Sequence, residues 1–232
     1  MSGQLYIGTS GYAYDEWKGV FYPEDLKARE RLTYYSSKFS TVEINYSFRR
    51  FPSEETLIKW RDQVGEDFRF TLKANQRITH KLKLRDASQD VSDFVERARV
   101  LGDKLGTILF QCPPYLHFDA ELLGSFLSVL PAGGLYAMEF RHESWNEGMQ
   151  MLSDAGVAWC VAETDEKAAS AIPDGPFAYM RLRKTDYEET DIPTWADRIR
   201  PVLADRDVWC YFKHEEHGDA PRFADVLTQL LS

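Results

Sequence analysis

The sequence predicts one (β/α)8 TIM-type barrel over residues 1–232, with lean loops and a weak or missing helix between the sixth and seventh strands. Three observations predict it. Eight short apolar runs alternate with mostly helical segments, the order that builds a parallel sheet because each crossover covers one of its faces. The runs are often apolar at consecutive positions, as strands buried on both faces are. Finally, 232 residues is close to the roughly 250 typical of a closed barrel. An open doubly wound sheet would instead carry a Gly-rich phosphate loop after its first strand, where this chain has GTSG rather than G-x-G-x-x-G.

From Gln4, LYIG forms the first strand, and TSGYAYDEWKGVFYP, crowded with Gly, Tyr and Trp, is an irregular aromatic loop. Leu26 to Phe39 carries helix formers. STVEIN is the second strand, Val42 and Ile44 flanking Glu43, and YSFRRFP is its exit loop. Ser53 caps the next helix, with Glu54 and Glu55 in its first turn, Leu57, Trp60 and Val64 on one face, and Gly65 at its end. FRFTLKA is the third strand and its exit NQRITHKLKL is basic. A helix from about Ser88 buries Val91, Phe94, Val95, Ala98 and Leu101 before Gly102. TILFQ, the fourth strand, is stopped by Pro113 and Pro114, which cannot donate into a central ladder. Asp119 caps a helix with Leu122, Leu123, Phe126, Leu127 and Leu130 on its apolar face. The fifth strand starts at Leu135, a short helix covers Asn146 to Ala155, the sixth strand is Val157 to Ala162, and FAYMRLR is the seventh. Trp195 to Leu203 is helical with Ile199, Val202 and Leu203 inward; DVWCYFKHEEHG holds the eighth strand, and Phe223, Val226, Leu227, Leu230 and Leu231 line a closing helix.

Composition sets limits on function. No apolar run approaches the roughly 20 residues of a membrane helix, and MSGQLYIG lacks the basic-then-apolar order of a signal peptide. A cytoplasmic location and no membrane partner are expected. Cys112, Cys160 and Cys210 are too scattered for a disulfide framework or a metal knuckle; Cys160 and Cys210 are expected to be buried thiols, and a nucleophilic role for Cys112 is the weaker reading. A net charge of −9 argues against chain-wide affinity for nucleic acid but leaves room for a local basic groove.

In a barrel the residues that follow each strand converge on one mouth. Here these are Ser10 and Tyr12; Glu43 and Asn45; Lys73 and Arg77; Gln111; Glu139, Arg141 and His142; Glu163 and Asp165; Arg181 and Arg183; and Lys213 with His214. Alternation turns Glu43 and Glu139 opposite to their apolar neighbours, so both carboxylates point into the barrel if those neighbours face the helices. Two roles compete for them. They act as general acid and base, as paired carboxylates do in glycoside hydrolysis, or they neutralise Lys73, Arg141 and Arg181 in a buried ionic network. The excess of forked guanidinium donors suits a phosphate or carboxylate ligand, with Arg77 and Arg183 expected to point outward. His142, directly after a strand core, either carries a proton or caps the loop. Trp17, Phe21 and Tyr22 are assigned to packing, while Tyr12 and Trp145 stand between packing and lining the pocket. A metal site would need Glu43, Glu139, Asp165 and His214 to converge; the scattered histidines weigh against that, and the cofactor stays unassigned.

The segments IGTSGY, WKGVFYP, VEIN, FTLKANQRITH, KLGTILFQCPP, EFRHESW and YFKHEEHG, in this order over nearly the whole chain, closely resemble the YecE-like family, domain of unknown function 72. The resemblance implies a TIM-type barrel and brings no established activity. It also implies a candidate site that includes Ser10, Glu43, Asn45, Lys73, Thr79, His80, Gln111, Glu139, Arg141, His142, Trp145 and Arg181. The chain departs from the family's usual residues at Arg49, Asn75, Gln76, Lys213 and His214.

The expected function is binding of an anionic, phosphate- or carboxylate-bearing small molecule or a nucleotide-like ligand at the C-terminal barrel mouth. If the chain is an enzyme, hydrolase or lyase is the expected class. Glu43, Glu139 and His142 are the catalytic candidates; Ser10, Tyr12, Asn45, Lys73, Gln111, Arg141, Trp145 and Arg181 are the ligand-binding ones. The alternative is a non-catalytic or nuclease-like nucleic-acid-binding module built on the basic exits and mouth aromatics, which a steep salt dependence would reveal.

Overall fold

Eight short strands close into a barrel in the computed structural model, which describes residues 3–166, 168–188, 190–213 and 218–232. They are β1 (Leu5–Ser10), β2 (Thr41–Ile44), β3 (Arg69–Lys73), β4 (Leu105–Gln111), β5 (Leu135–Glu139), β6 (Val157–Glu163), β7 (Ala178–Leu182) and β8 (Val208–Phe212). Each pairs in parallel with the next, and β8 pairs with β1, so no sheet edge is left open. Outside them run α1 (Arg31–Ser36), the single turn α2 (Tyr46–Arg49), α3 (Glu54–Asp62), α4 (Ser88–Ala98), α5 (Ala120–Ser128), α6 (Met149–Asp154), α7 (Asp191–Leu203) and α8 (Asp219–Leu231). Among the described residues no helix separates β6 from β7, and none is long and apolar enough to cross a membrane.

The core has two parts. Val42, Phe70, Ile108, Met138, Met180 and Cys210 belong to the shell between barrel and helices, while Leu109, Ala137, Ala158, Cys160, Tyr179 and Tyr211 fill the lumen. The two parts use alternate positions of the same strands, the period-2 consequence of the pleat. Tyr211 sits across the lumen with its hydroxyl 2.8 Å from Thr41 Oγ1 and 2.7 Å from Thr71 Oγ1, a polar plug beneath the mouth. At Gly8 an added Cβ would lie 2.0 Å from the Thr41 carbonyl oxygen, so β1 and β2 approach there only because glycine has none.

Ser53 and Asp119 cap α3 and α5 as expected, accepting from the amides of Thr56 (3.2 Å) and Leu122 (3.0 Å). Other expectations need correction. Leu26 to Phe39 is not one helix: a 3-10 turn over Ala28–Glu30 leads into α1, which stops at Ser36. Ser36 and Ser37 donate their hydroxyls to the carbonyls of Thr33 and Tyr34, the local competition by which serine ends a helix. YSFRRFP is not all loop, because Tyr46–Arg49 forms α2. Asn146 to Ala155 divides into a 3-10 stretch, Glu143–Gly148, and α6. Helix α7 begins at Asp191 rather than Trp195, since Pro193 lies in its first turn, where a missing N–H costs nothing. Val226 and Leu230 are exposed on α8, whose inward face carries Ala220, Phe223, Ala224 and Leu227 instead.

The basic exit of β3 is ordered. Arg77–Lys81 forms a π-helical turn, a geometry that often marks functional sites, and Lys83, Leu84 and Asp86 follow in the left-handed region. Burial of Leu84 and its amide's bond to the Ile78 carbonyl at 3.0 Å hold this segment against its backbone strain.

Candidate functional site at the barrel mouth

Alternation brings Ser10, Glu43, Lys73, Gln111, Glu139 and Arg181 inward at the C-terminal ends of their strands, and all six are buried. Arg181 is their centre. Its Nη2 and Nε donate to Glu43 Oε1 at 2.7 and 3.1 Å, and its Nη1 to Glu139 Oε2 at 2.6 Å. Glu43 also accepts from Ser10 Oγ and from the Tyr179 hydroxyl, each at 2.7 Å. Glu139 takes two further guanidinium groups, Arg183 Nη2 at 2.8 Å and Arg141 Nε at 3.3 Å. Asn45 Oδ1 stands 3.5 Å from Arg181 Nη2 at the edge of this cluster.

Burial by itself would raise both carboxyls, yet each is held below the ordinary glutamate range. For Glu43 the Arg181 charge and the Ser10 and Tyr179 hydroxyls outweigh burial; for Glu139 the charges of Arg181, Arg183 and Arg141 do so. A carboxylate kept ionised so firmly has no proton to give near neutrality and little basicity. The geometry therefore favours the ionic-network reading of the pair over the acid/base one. Their folded values lie below the ordinary 4.5, so the stability they contribute is complete above about pH 4.5 and is lost as pH falls through the folded values. We expect unfolding free energy to fall steeply below about pH 4.5, and Glu139→Gln to flatten that slope in urea titrations. Equal slopes for the two proteins would contradict the assignment.

Lys73 differs from the arginines. Its Nζ donates to Gln111 Oε1 at 2.7 Å and lies 4.2 Å from the centre of the Phe48 ring, and among the described residues no carboxylate forms an ion pair with it. Burial, then the Arg181 charge, depress the amine to about 8 against the pull of Glu43 and Glu139. His80 stands edge-on to the same Phe48 ring, centroids 5.0 Å apart, with Nδ1 2.8 Å from Thr79 Oγ1. Its pKa is lowered by burial and by the Lys73 and Arg141 charges.

Beside the network opens a pocket of about 730 Å3, walled by Glu139, Phe140, Arg141, His142, Ala162 and Arg183, with the exposed Glu143 and Glu166 on its rim. Ala162 supplies the room: it is the small inward residue between Glu139 and Arg181. Arg141 leaves 41% of its side chain exposed here, and its contacts to Glu139 and Gln111 are long, at 3.3 and 3.4 Å. His142 accepts from the Ser144 amide at Nδ1, 3.2 Å, which caps the 3-10 stretch and leaves the neutral ring's proton on Nε2. The ring stacks on His117 at 3.8 Å. Tyr12 and Asn45 line a second pocket of about 300 Å3 with Tyr46 and Trp60, on the β1–β2 side of the mouth.

Three expectations change. Trp145 is not a pocket wall: it is fully buried, stacked on Phe140 at 4.0 Å, its indole N–H donated to the Leu116 carbonyl at 2.6 Å. Arg183 does not point outward but completes the shell of Glu139, whereas Arg77 does point outward, onto Asp90 at 2.6 Å. Glu163 and Asp165 stay out of the cluster. Glu163 accepts from Tyr187 and from Trp195, and Asp165 from Thr185. Among the described residues no three His, Cys, Asp or Glu side chains gather as metal ligands, and His214 and His217 lie outside those residues. All three cysteines are buried, with burial pushing each thiol up.

Arg183 is placed at the mouth by the sequence but expected to point outward, His80 enters the candidate site only through the family resemblance, and Phe48 is a mouth aromatic that the structure sets against both Lys73 and His80. Arg183 had a signal, since it stands two positions after Arg181 and its amide extends the ladder to the Glu163 carbonyl at 3.1 Å. His80 and Phe48 had none of that kind, because they reach the mouth from helical turns.

The family model described as "Protein of unknown function DUF72" matches residues 6–232. The chain belongs to the DUF72 family. YecE of Escherichia coli is 29% identical over 139 residues, covering 60% of this chain and 48% of YecE, so that alignment spans only about half of the relative. YunF of Bacillus subtilis is 27% identical over an alignment covering 98% of this chain and 94% of YunF. Among solved structures, a DUF72 protein of Thermotoga maritima superposes with a TM-score of 0.87 at 25% identity, covering 98% of this chain and 99% of that one. A DUF72 protein of Enterococcus faecalis superposes with a TM-score of 0.78 at 17% identity, covering 98% and 95%, a likeness of fold alone.

Proposed function

We propose that this DUF72 barrel binds, at its C-terminal mouth, a small molecule bearing a phosphate or carboxylate group. The observation that carries the reading is the state of Arg141. Arg181 and Arg183 are committed to carboxylates through short contacts, whereas Arg141, exposed on the pocket wall, holds only long ones. Among the described residues the cluster holds four cations, Lys73, Arg141, Arg181 and Arg183, and two buried carboxylates, Glu43 and Glu139, a surplus of positive charge in a partly desolvated site, where it acts more strongly than in water. The chain-wide charge of −9 supports a ligand captured by this local field rather than a long anionic polymer. Hydrolase and lyase remain the candidate classes, with the glutamates positioning Arg181 rather than moving protons.

Inorganic phosphate, pyrophosphate and citrate should each raise the melting temperature saturably. Arg141→Ala should weaken that binding by about 10- to 100-fold, the worth of a lost charge-assisted contact. No shift with any of these anions would overturn the reading. A single-stranded oligonucleotide bound with a steep salt dependence would replace it with the nucleic-acid one.

A further inference from the structure

We propose that Lys73 is a nucleophile that forms an imine with an aldehyde or ketone carrying its carboxylate or phosphate within a few bonds of the carbonyl. This rests on the anion-binding reading and adds a reaction to it. Three features of the mouth carry it.

Lys73 is the only buried lysine among the described residues, and the three arginines around it have taken up both carboxylates. Its amine is left with a neutral amide oxygen and an aromatic face. Neither partner is a counter-ion that would fix the amine's charge, and the uncharged form can donate one N–H to Gln111 Oε1 while its lone pair stays free. A lysine present only to neutralise a buried acid would have the opposite surroundings.

The anion clamp is also at the right distance. Lys73 Nζ and Arg141 Nη2 meet the same atom, Gln111 Oε1, at 2.7 and 3.4 Å. The nucleophile and the guanidinium are therefore neighbours, and an anionic group held by Arg141 brings a nearby carbonyl carbon to Lys73. This selects short oxo acids or oxo phosphates over ligands whose charge lies far from the carbonyl.

Finally, the amine's depressed pKa of about 8 leaves roughly a tenth of it uncharged at pH 7, against about one part in 3,000 for a lysine at 10.5. Desolvation beside other cations is a known way of activating such a nucleophile. The step balances without a redox partner. The nitrogen lone pair attacks the carbonyl carbon, the C–N bond forms, the C–O bond breaks, and the oxygen leaves as water with both amine hydrogens. An imine draws electrons from its neighbouring carbon, which within the two candidate classes points to a lyase acting beside a carbonyl.

The full chain should be incubated at pH 7 with glyoxylate, pyruvate or glyceraldehyde 3-phosphate, reduced with borohydride, and mapped by peptide mass. We expect one ligand-sized adduct concentrated at Lys73, at least about tenfold above the mean of the exposed lysines, with labelling half-maximal near pH 8. Phosphate should suppress it, Arg141→Ala should reduce it, and folded Lys73→Met should lack it. Which probe labels best distinguishes carboxylate from phosphate ligands. Adducts spread over exposed lysines with none at Lys73, while phosphate still shifts the melting temperature, would sink the imine and leave the anion site standing. Labelling at Lys73 untouched by phosphate and by Arg141→Ala would keep the nucleophile and remove the clamp. Loss of both signals would remove both.

Discussion

Arg181→Met is expected to cost at least about 3–5 kcal/mol, the effect of removing one partner from a buried ion pair. Against a total stability of about 5–15 kcal/mol this brings the barrel near unfolding. The reason is asymmetric. Glu139 would keep Arg183 and Arg141, but Glu43 has Arg181 as its only ion-paired cation among the described residues, and would be left fully buried with two hydroxyl donors. Adding Glu43→Gln to Arg181→Met should therefore restore more stability than adding Glu139→Gln. Urea unfolding at pH 7 of the single and the two double variants tests this. A loss under about 1 kcal/mol, or equal rescue by both glutamine changes, would show that Arg181 does not hold the two carboxylates in place.

Lys73→Met should do the reverse and stabilise the protein at pH 7, by at most about 3 kcal/mol. The folded amine titrates near 8 and the unfolded one near 10.5, so the unfolded chain binds more protons between those values. The penalty of burying the charged amine is thus fully present below about pH 8 and fades as pH rises toward 10.5. Methionine removes the charge and keeps the stem's packing, at the smaller cost of Gln111's hydrogen bond. The gap between variant and parent should narrow when the urea titration is repeated at pH 10. A variant less stable than the parent at pH 7 would mean that the amine is a structural donor. A residue that destabilises the fold where it stands is what a functional site in a marginally stable protein leads one to expect.

Much of this molecule was legible in the chain. The strand count, the parallel order and the caps at Ser53 and Asp119 follow from local chemistry, because a strand buried on both faces and a helix start each demand particular residue types. The inward aim of Glu43, Lys73, Gln111, Glu139 and Arg181 was legible too, since alternation leaves a strand-end side chain two directions and the apolar neighbours occupy one. Residues beyond the strands were harder. His142 follows β5 almost as closely as Arg141 does, yet its Nδ1 caps a 3-10 stretch while Arg141, held only by long contacts, stands partly exposed on the pocket wall. Trp145, beside polar residues in the chain, stacks on Phe140 in the core.

The sequence by itself determined the barrel, its family, and a polar ring of mixed charge at one mouth, because those depend on patterns of period 2 and 3.6 along the chain. Only the tertiary structure decided how the charges pair. Arg181 and Arg183 go to the glutamates, Arg141 faces the pocket, and Lys73 is left with an amide and a ring. Those pairings join strands up to 138 residues apart, and what chooses among them is the closure of β8 on β1, which no local pattern encodes.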